Sequence, residues 1–365
     1  MTHYSVNELF SDLVTIDQSL KFTPKMLATL ARRQISAQRY SRQALFSAMA
    51  HGKAALFDNY PSPLNNPDNN SPAKQVEAKL KRLGRNRRFS VRCGPSETFN
   101  YLTGSELVKR WNNPRALVNV TDLHIRETAV EQLVDPTNLS WFNLLPGCGD
   151  NAAAQEMMSL VVSSRGCVSD SHSDAPDSSN YCFSGQKVWL YWDTYEGKKL
   201  GLEDSSIDTV YSKCSFDMKR FLQMRSARWL KVSDGQALFL PGDYTHKVIT
   251  TEKYLGVGSF YVSLPNSLRT LTRWNIHGPL WSQHLGINHN DPVLADITRH
   301  VKQRVKNLRG RSERFKRSLG YDHLPDALEN WQNTTGTQHR KLLETTRLSG
   351  YLQLLQQLEA TTSHA

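Results

Sequence analysis

The chain has 365 residues, of which 39% are hydrophobic and 22% charged, and its formal net charge is +11. That much apolar material can bury a sizeable core in one elaborated domain or two modest ones, which excludes a wholly disordered chain. No apolar run approaches the roughly 20 residues of a membrane-spanning helix.

The first ten residues carry no apolar signal-peptide core, and the five cysteines form no CxxC pair. They read as free thiols in a reducing compartment, so the expectation is a cytoplasmic protein. The charge is unevenly placed. Residues 1–115 hold 18 Lys/Arg against 8 Asp/Glu, residues 116–265 hold 13 against 18, and residues 266–365 hold 14 against 8. A basic protein invites a nucleic-acid partner, yet its middle third is acidic.

Residues 1–115 are expected to form a helical, basic region. Ser5-Val6-Asn7-Glu8 has the capping-box pattern ahead of Leu9, Phe10, Leu13 and Val14 at helical spacing. Thr23-Pro24 offers an N-cap and a first-turn proline ahead of Met26, Leu27 and Leu30. Residues 59–73, rich in Asn, Pro and Ser, read as a loop or linker, followed by a short basic helix near 74–83 and the RNRRF segment at 85–89.

From residue 116 the texture changes to short β-branched and aromatic runs bounded by turn residues, at 116–120, 157–162, 181–192, 236–240 and 255–262. Several strands without long helices between them predict an antiparallel barrel or sandwich over residues 116–265. After Pro265 the apolar stripes Val293, Ile297, Val301, Val305, Leu308 and Leu342, Leu343, Tyr351, Leu352, Leu355, Leu358 predict a C-terminal helical region, 266–365.

The stretch that carries chemistry is Ser169-Asp170-Ser171-His172-Ser173-Asp174. On a strand, residues i and i+2 face the same way, so His172 and Asp174 present an imidazole and a carboxylate side by side. With His246, after the run 236–240 and a Pro-Gly turn, they make two histidines and a carboxylate, which can hold Fe(II) on one face and leave three positions open. His277, His284, His289 and His300 fall in the helical or loop-rich C-terminal region and fit less well. Lys187 lies in an aromatic and aliphatic run. A buried ammonium needs an anionic partner, whereas a lysine at a strand end would snorkel.

These residues resemble the Jumonji-C branch of the cupin-like Fe(II)/2-oxoglutarate oxygenases, over roughly 116–265. The matching features are His172-x-Asp174, then Gly185-x-Lys187 13 residues beyond the Asp, then Gly235 to Pro241, and His246 five residues after that Pro. Gln236 stands where the family commonly has Asp, and Gly-Asp-Tyr-Thr follows the Pro where an aromatic pair is commoner.

The resemblance implies a mainly β core with α flanks, a double-stranded β-helix or cupin-like jelly roll. It implies Fe(II) on His172, Asp174 and His246, 2-oxoglutarate as cosubstrate with Lys187 on its far carboxylate, and O2 as the oxidant. Ser169 and Ser259 fall near polar positions that support the cosubstrate. Tyr181 and Trp189 share strand parity with Lys187 if no bulge intervenes, and are the candidates to line the substrate pocket. Related oxygenases outside this branch anchor 2-oxoglutarate with an Arg about ten residues beyond the distal His. Here that place is Gly256, which favours Lys187. Asp174 argues against the radical halogenases, which lack the carboxylate, and HSD differs from the HxH of germin-type cupins.

The implied reaction is hydroxylation of a C–H bond of a peptide, protein or small-molecule substrate, with release of succinate and CO2. The alternatives are a non-catalytic cupin-fold module whose basic flanks engage nucleic acid, and a metal cupin that uses no 2-oxoglutarate. The basic helix near 299–316 offers a nucleic-acid surface or a solvated face, and the C-terminal stripes offer a homodimer contact or packing onto the barrel.

Overall fold

The computed structural model describes residues 5–50, 52–64, 71–93, 99–128, 130–134, 158–174, 177–202, 215–242 and 244–261. The helices expected over 266–365, with their dimer and nucleic-acid readings, lie outside the described residues.

The N-terminal signals act as their chemistry dictates. Helix α1 (Val6–Ile16) begins at Ser5, whose hydroxyl accepts from the Glu8 N–H while the Glu8 carboxylate accepts from the Ser5 N–H. Helix α2 (Pro24–Arg33) starts on its proline, whose missing N–H costs nothing in a first turn. After these come β1 (Gln38–Arg39), α3 (Arg42–Ala50) and β2 (Ala55–Asp58). Then follow α4 (Pro72–Arg82), β3 (Arg88–Cys93), β4 (Phe99–Thr103) and α5 (Gly104–Trp111). The region expected to be helical therefore also supplies four strands. The predicted linker is partly structural, since Tyr60 and Leu64 are buried.

The central region holds β5 (Val118–His124), β6 (Met158–Ser163), β7 (Val168–Ser173) and β8 (Asp177–Asp193). Two short helices follow, α6 (Thr194–Lys199) and α7 (Met218–Gln223), and then β9 (Arg228–Ser233), β10 (Ala237–Leu240) and β11 (Tyr244–Tyr261). The runs read as separate short strands merge into β8, of 17 residues, and β11, of 18.

The sheet is mixed and 11-stranded, in the order β1-β2-β10-β8-β11-β6-β5-β3-β4, with β7 added on β11 and β9 on β8. Only β1 and β2 pair in parallel among the described strands. Strands β8 and β11 pair antiparallel from Tyr244↔Asp193 to Tyr261↔Asp177. This ribbon serves two arcs. Its Asp177 end is flanked by β10 and β6, giving β10-β8-β11-β6, and its Asp193 end by β9 and β7, giving β9-β8-β11-β7.

Alternation along each strand divides the apolar residues between the faces. Leu238 and Leu240 join Leu56, Val161, Cys182, Tyr191, Leu230, Val232 and Tyr254 in an inner cluster. Ala237 and Phe239 point the other way, into a core with residues of α4, α5, β3 and β6. The opposite outer face, with Val188, Leu190, Trp192 and Ile249, is covered by α1, α2 and α7. There Phe10 meets Trp229 edge to face at 5.1 Å. Strand-rich layers with apolar material on both sides are compatible with a β-sandwich core.

The ribbon changes arc at Gly185. Its φ is +93°, and a Cβ there would lie 2.0 Å from the Lys253 carbonyl oxygen, so only glycine fits. Its N–H donates to the Asp234 carboxylate at 2.6 Å. Register shifts cluster opposite it, between Thr250 and Gly256. The side chains inside the ribbon therefore change parity across this point.

Candidate metal centre

The chain brings its three predicted ligands together by strand pairing. His172, near the end of β7, is the register partner of His246, third residue of β11, and Asp174 follows one residue past β7. The imidazole centroids are 4.2 Å apart, and His246 Nε2 lies 3.5 Å from Asp174 Oδ2. One donor atom from each of the three residues falls within 4.8 Å of the others, so the group can hold a metal ion.

The backbone fixes both imidazoles in a ligand-ready form. His172 Nδ1 donates to the Asp170 carbonyl at 2.6 Å, and His246 Nδ1 donates to the Tyr244 carbonyl at 3.3 Å. A carbonyl only accepts, so each Nδ1 carries a proton and Nε2 is the ring atom left to face a metal. His246 is 2% exposed. Burial, and then the neighbouring His172, push its pKa down to about 4, against the pull of Asp174 and the Tyr244 carbonyl. It is neutral at physiological pH, the form a metal requires. The two nitrogens and one carboxylate suit a first-row divalent ion with open positions.

Trp189 stacks on His246, with centroids 5.2 Å apart and planes inclined by 29°. Its indole N–H is buried and has no hydrogen-bond partner among the described residues. Lys187 is two residues earlier on the same strand, paired with Thr250 on one side and Val232 on the other. The residue is 3% exposed. Its ammonium meets no hydrogen-bonding or ion-pairing group among the described residues; it lies 4.7 Å from the centroid of the Tyr254 ring. Burial brings its pKa down to about 8, with the Cys167 and Cys182 thiols opposing. Ser169 pairs with Val248 on this inner side, and its hydroxyl accepts from the Asn119 amide at 3.4 Å.

Two predicted residues face elsewhere. The irregularity at Gly185 breaks the parity count from Lys187, so Cys182 turns inward and Tyr181 outward. Tyr181 packs in the outer core with Tyr60 and Phe183, at 6.4 and 5.3 Å between centroids. Ser259 pairs with Met158 and shares a face with Leu255 and Val257, again in that outer core. Its buried hydroxyl has no hydrogen-bond partner among the described residues. Neither residue joins the centre.

Sequence reasoning missed Lys247. It is as buried as Lys187, but its side chain faces outward and pairs with Asp17 at 2.9 Å and Asp170 at 3.0 Å. A bulge in β7 opposite Lys247 turns the Asp170 carboxylate to this ammonium, while the Asp170 carbonyl orients His172. The lysine following one ligand thus grips the residue that aims the other. The requirement applied to Lys187, that a buried ammonium has an anionic partner, would have found it.

Gln236 and Gly256 have physical roles of their own. Gln236 donates to Asp58 at 2.6 Å and accepts from the Ser233 N–H at 2.8 Å, tying β2 to the β9–β10 turn. At Gly256 a Cβ would lie 2.6 Å from the Tyr181 carbonyl and 2.8 Å from the Tyr254 hydroxyl, so no longer side chain fits there.

Compared with known proteins, the chain matches no family profile and no curated protein. No helix among the described residues is long and apolar enough to cross a membrane.

Proposed function

We propose that the chain is an Fe(II)- and 2-oxoglutarate-dependent oxygenase that hydroxylates a C–H bond of a peptide or protein side chain or of a small metabolite. The observation that carries this reading is the buried ammonium of Lys187, which meets no anion among the described residues, on the inner face of the strand ribbon that also bears His246. A buried cation without an anion costs several kcal/mol, and a fold keeps it where a ligand completes the pair. A dicarboxylate that chelates the metal through its 2-oxo acid end presents its second carboxylate at a distance, where a lysine on the strand paired with that of His246 can meet it. The crowding at Gly256 leaves no place there for the arginine that would do the same work.

This reading takes the arcs β10-β8-β11-β6 and β9-β8-β11-β7 as the two halves of a double-stranded β-helix of the Jumonji-C kind. When bound, Fe(II), 2-oxoglutarate and O2 supply the oxidation, with decarboxylation of the oxo acid to succinate and CO2. His172, Asp174 and His246 would hold the ion, with room left beside it for cosubstrate and oxidant. Lys187 binds the far carboxylate and Ser169 adds a hydroxyl donor. Trp189 walls the His246 side and excludes water, and its free N–H is available to an oxygen of the bound acid.

The test is anaerobic titration of the Fe(II)-loaded protein with 2-oxoglutarate, read by the visible charge-transfer band of the chelate and, after O2 is admitted, by succinate. Wild type is expected to develop the band and His172→Ala to lose both metal and band. Lys187→Met is expected to retain metal and lose 2-oxoglutarate. A metal-loaded wild-type protein that does not bind 2-oxoglutarate would overturn the reading, and metal-dependent chemistry with unchanged Lys187→Met would point to a cupin without this cosubstrate.

A further inference from the structure

We propose that the outer face of the β3–β4 hairpin, together with the arginine turn leading into it, is a docking surface for single-stranded nucleic acid. Tyr101 is the one large hydrophobic side chain exposed among the described residues, at 67%. It sits on β4, the last strand of the sheet path, opposite Ser90, while Phe89, Val91 and Leu102 of the same hairpin face the core. Arg88 pairs with Thr103 on the Tyr101 face, and its guanidinium donates to the Tyr101 carbonyl at 3.1 Å.

The basic charge gathers around this ring. Residues 71–115 hold 11 Lys/Arg against 3 Asp/Glu. The turn before β3, closed by the Arg87 N–H to the Gly84 carbonyl, exposes Arg85, Arg87 and Arg88. Exposed Lys81 and Arg82 at the end of α4, and Lys109 and Arg110 at the end of α5, flank it. The acids among the described residues of this stretch, Glu77 and Glu106, are engaged within the fold. Glu106 caps α5 through Thr103, and Glu77 pairs with Lys81 and Lys253. Arg82 and Arg85 have no carboxylate partner among the described residues.

An exposed aromatic face amid arginines matches a strand whose bases are unstacked and whose phosphates run alongside. Duplex bases are hidden from such a ring, an acidic peptide has no flat face to offer it, and an anionic membrane calls for more apolar anchors than one tyrosine. Along the sheet path β6, β5 and β3 lie between β11 and β4. The inference therefore stands independently of the metal centre.

The experiment is fluorescence anisotropy of the full chain with a labelled mixed-sequence 15-mer RNA, the matching single-stranded DNA and the duplex, over a range of salt. A polyglutamate peptide and phosphatidylserine-containing vesicles complete the set. The single strands are expected to bind most tightly. Tyr101→Ala should weaken them about ten-fold without changing the melting temperature, as loss of one stacked base contact does. The double variant Arg82→Ala/Arg85→Ala should lower the salt slope by about 1.4, two single-strand phosphate contacts. The proposal is overturned by absence of single-strand binding, by affinities that both variants leave within two-fold, or by tighter binding of the duplex, the peptide or the vesicles.

Discussion

Lys187→Met should make the ligand-free protein more stable while removing its proposed cosubstrate site. Holding the ammonium at about 8, where a solvated lysine titrates at 10.5, corresponds to about 3 kcal/mol withdrawn from stability at neutral pH. The residue is almost wholly buried, so solvent screens little of this. Methionine keeps most of the stem and drops the charge, so the gain is about 2–3 kcal/mol, or roughly 3–4 °C in Tm for a chain of this length. Urea denaturation in the presence of a chelator, followed by tryptophan fluorescence at pH 7, measures it. The pH dependence carries a defined sign. Because the folded-state pKa lies below the unfolded one, the unfolded chain binds the extra proton between about pH 8 and 10.5. Wild-type stability relative to the variant therefore rises through that window, and the variant's advantage fades. With metal and 2-oxoglutarate present the order should reverse, since only wild type gains the binding energy. A variant less stable than wild type at pH 7 without ligand, or a difference constant with pH, would refute the reasoning.

Lys247→Met should have the opposite effect, because its partner Asp17 is largely buried while Asp170 is mostly exposed. Stranding the Asp17 carboxylate should cost about 3 kcal/mol in chemical denaturation, and Co(II) affinity should fall about ten-fold as His172 and His246 lose their common brace. Burial works to raise the Asp17 carboxyl, but Lys247 and Ser19 overcome it and leave it below the usual range. The stability that Asp17 supplies is thus present above about pH 4 and lost below it, and a wild-type minus Asp17→Asn difference that persists at pH 2–3 would contradict this. Gly185→Ala should yield little folded protein, because a Cβ would meet the Lys253 backbone and the φ is one that alanine rarely adopts; circular dichroism of a soluble, cooperatively unfolding variant would contradict it. His246→Ala should abolish Co(II) binding in a ligand-field titration while leaving the protein folded.

His172 and Asp174 were legible because strand periodicity places i and i+2 on one face whatever the tertiary context. His246 was legible because it follows the run 236–240 and a Pro-Gly turn, which brings it onto the strand that pairs with β7 and β8. Parity arguments hold only within an unbroken strand. They carried Trp189 correctly from Lys187, two residues away, and failed for Tyr181, six residues away, because Gly185 lies between them. Ser259 failed for a related reason, since its face depends on register shifts between Thr250 and Gly256 that no local pattern announces. In the N-terminal region β1 and β2 escaped notice because they are two and four residues long, and β2 finds its second partner, β10, far along the chain. Lys247 was hidden in plain view. Two buried lysines looked alike in sequence, and only the fold revealed that one has two carboxylates and the other none.

The ribbon of β8 and β11 also has a kinetic consequence. Its register joins Asp177 to Tyr261 and Asp193 to Tyr244, so its contacts span long stretches of chain and must await closure of a large loop. Lys187, Trp189 and His246 all ride on that late-forming pair. Metal capture therefore reports completion of folding: a nascent chain that has exposed His172 and Asp174 holds only two of three ligands until β11 has been made and zipped along β8.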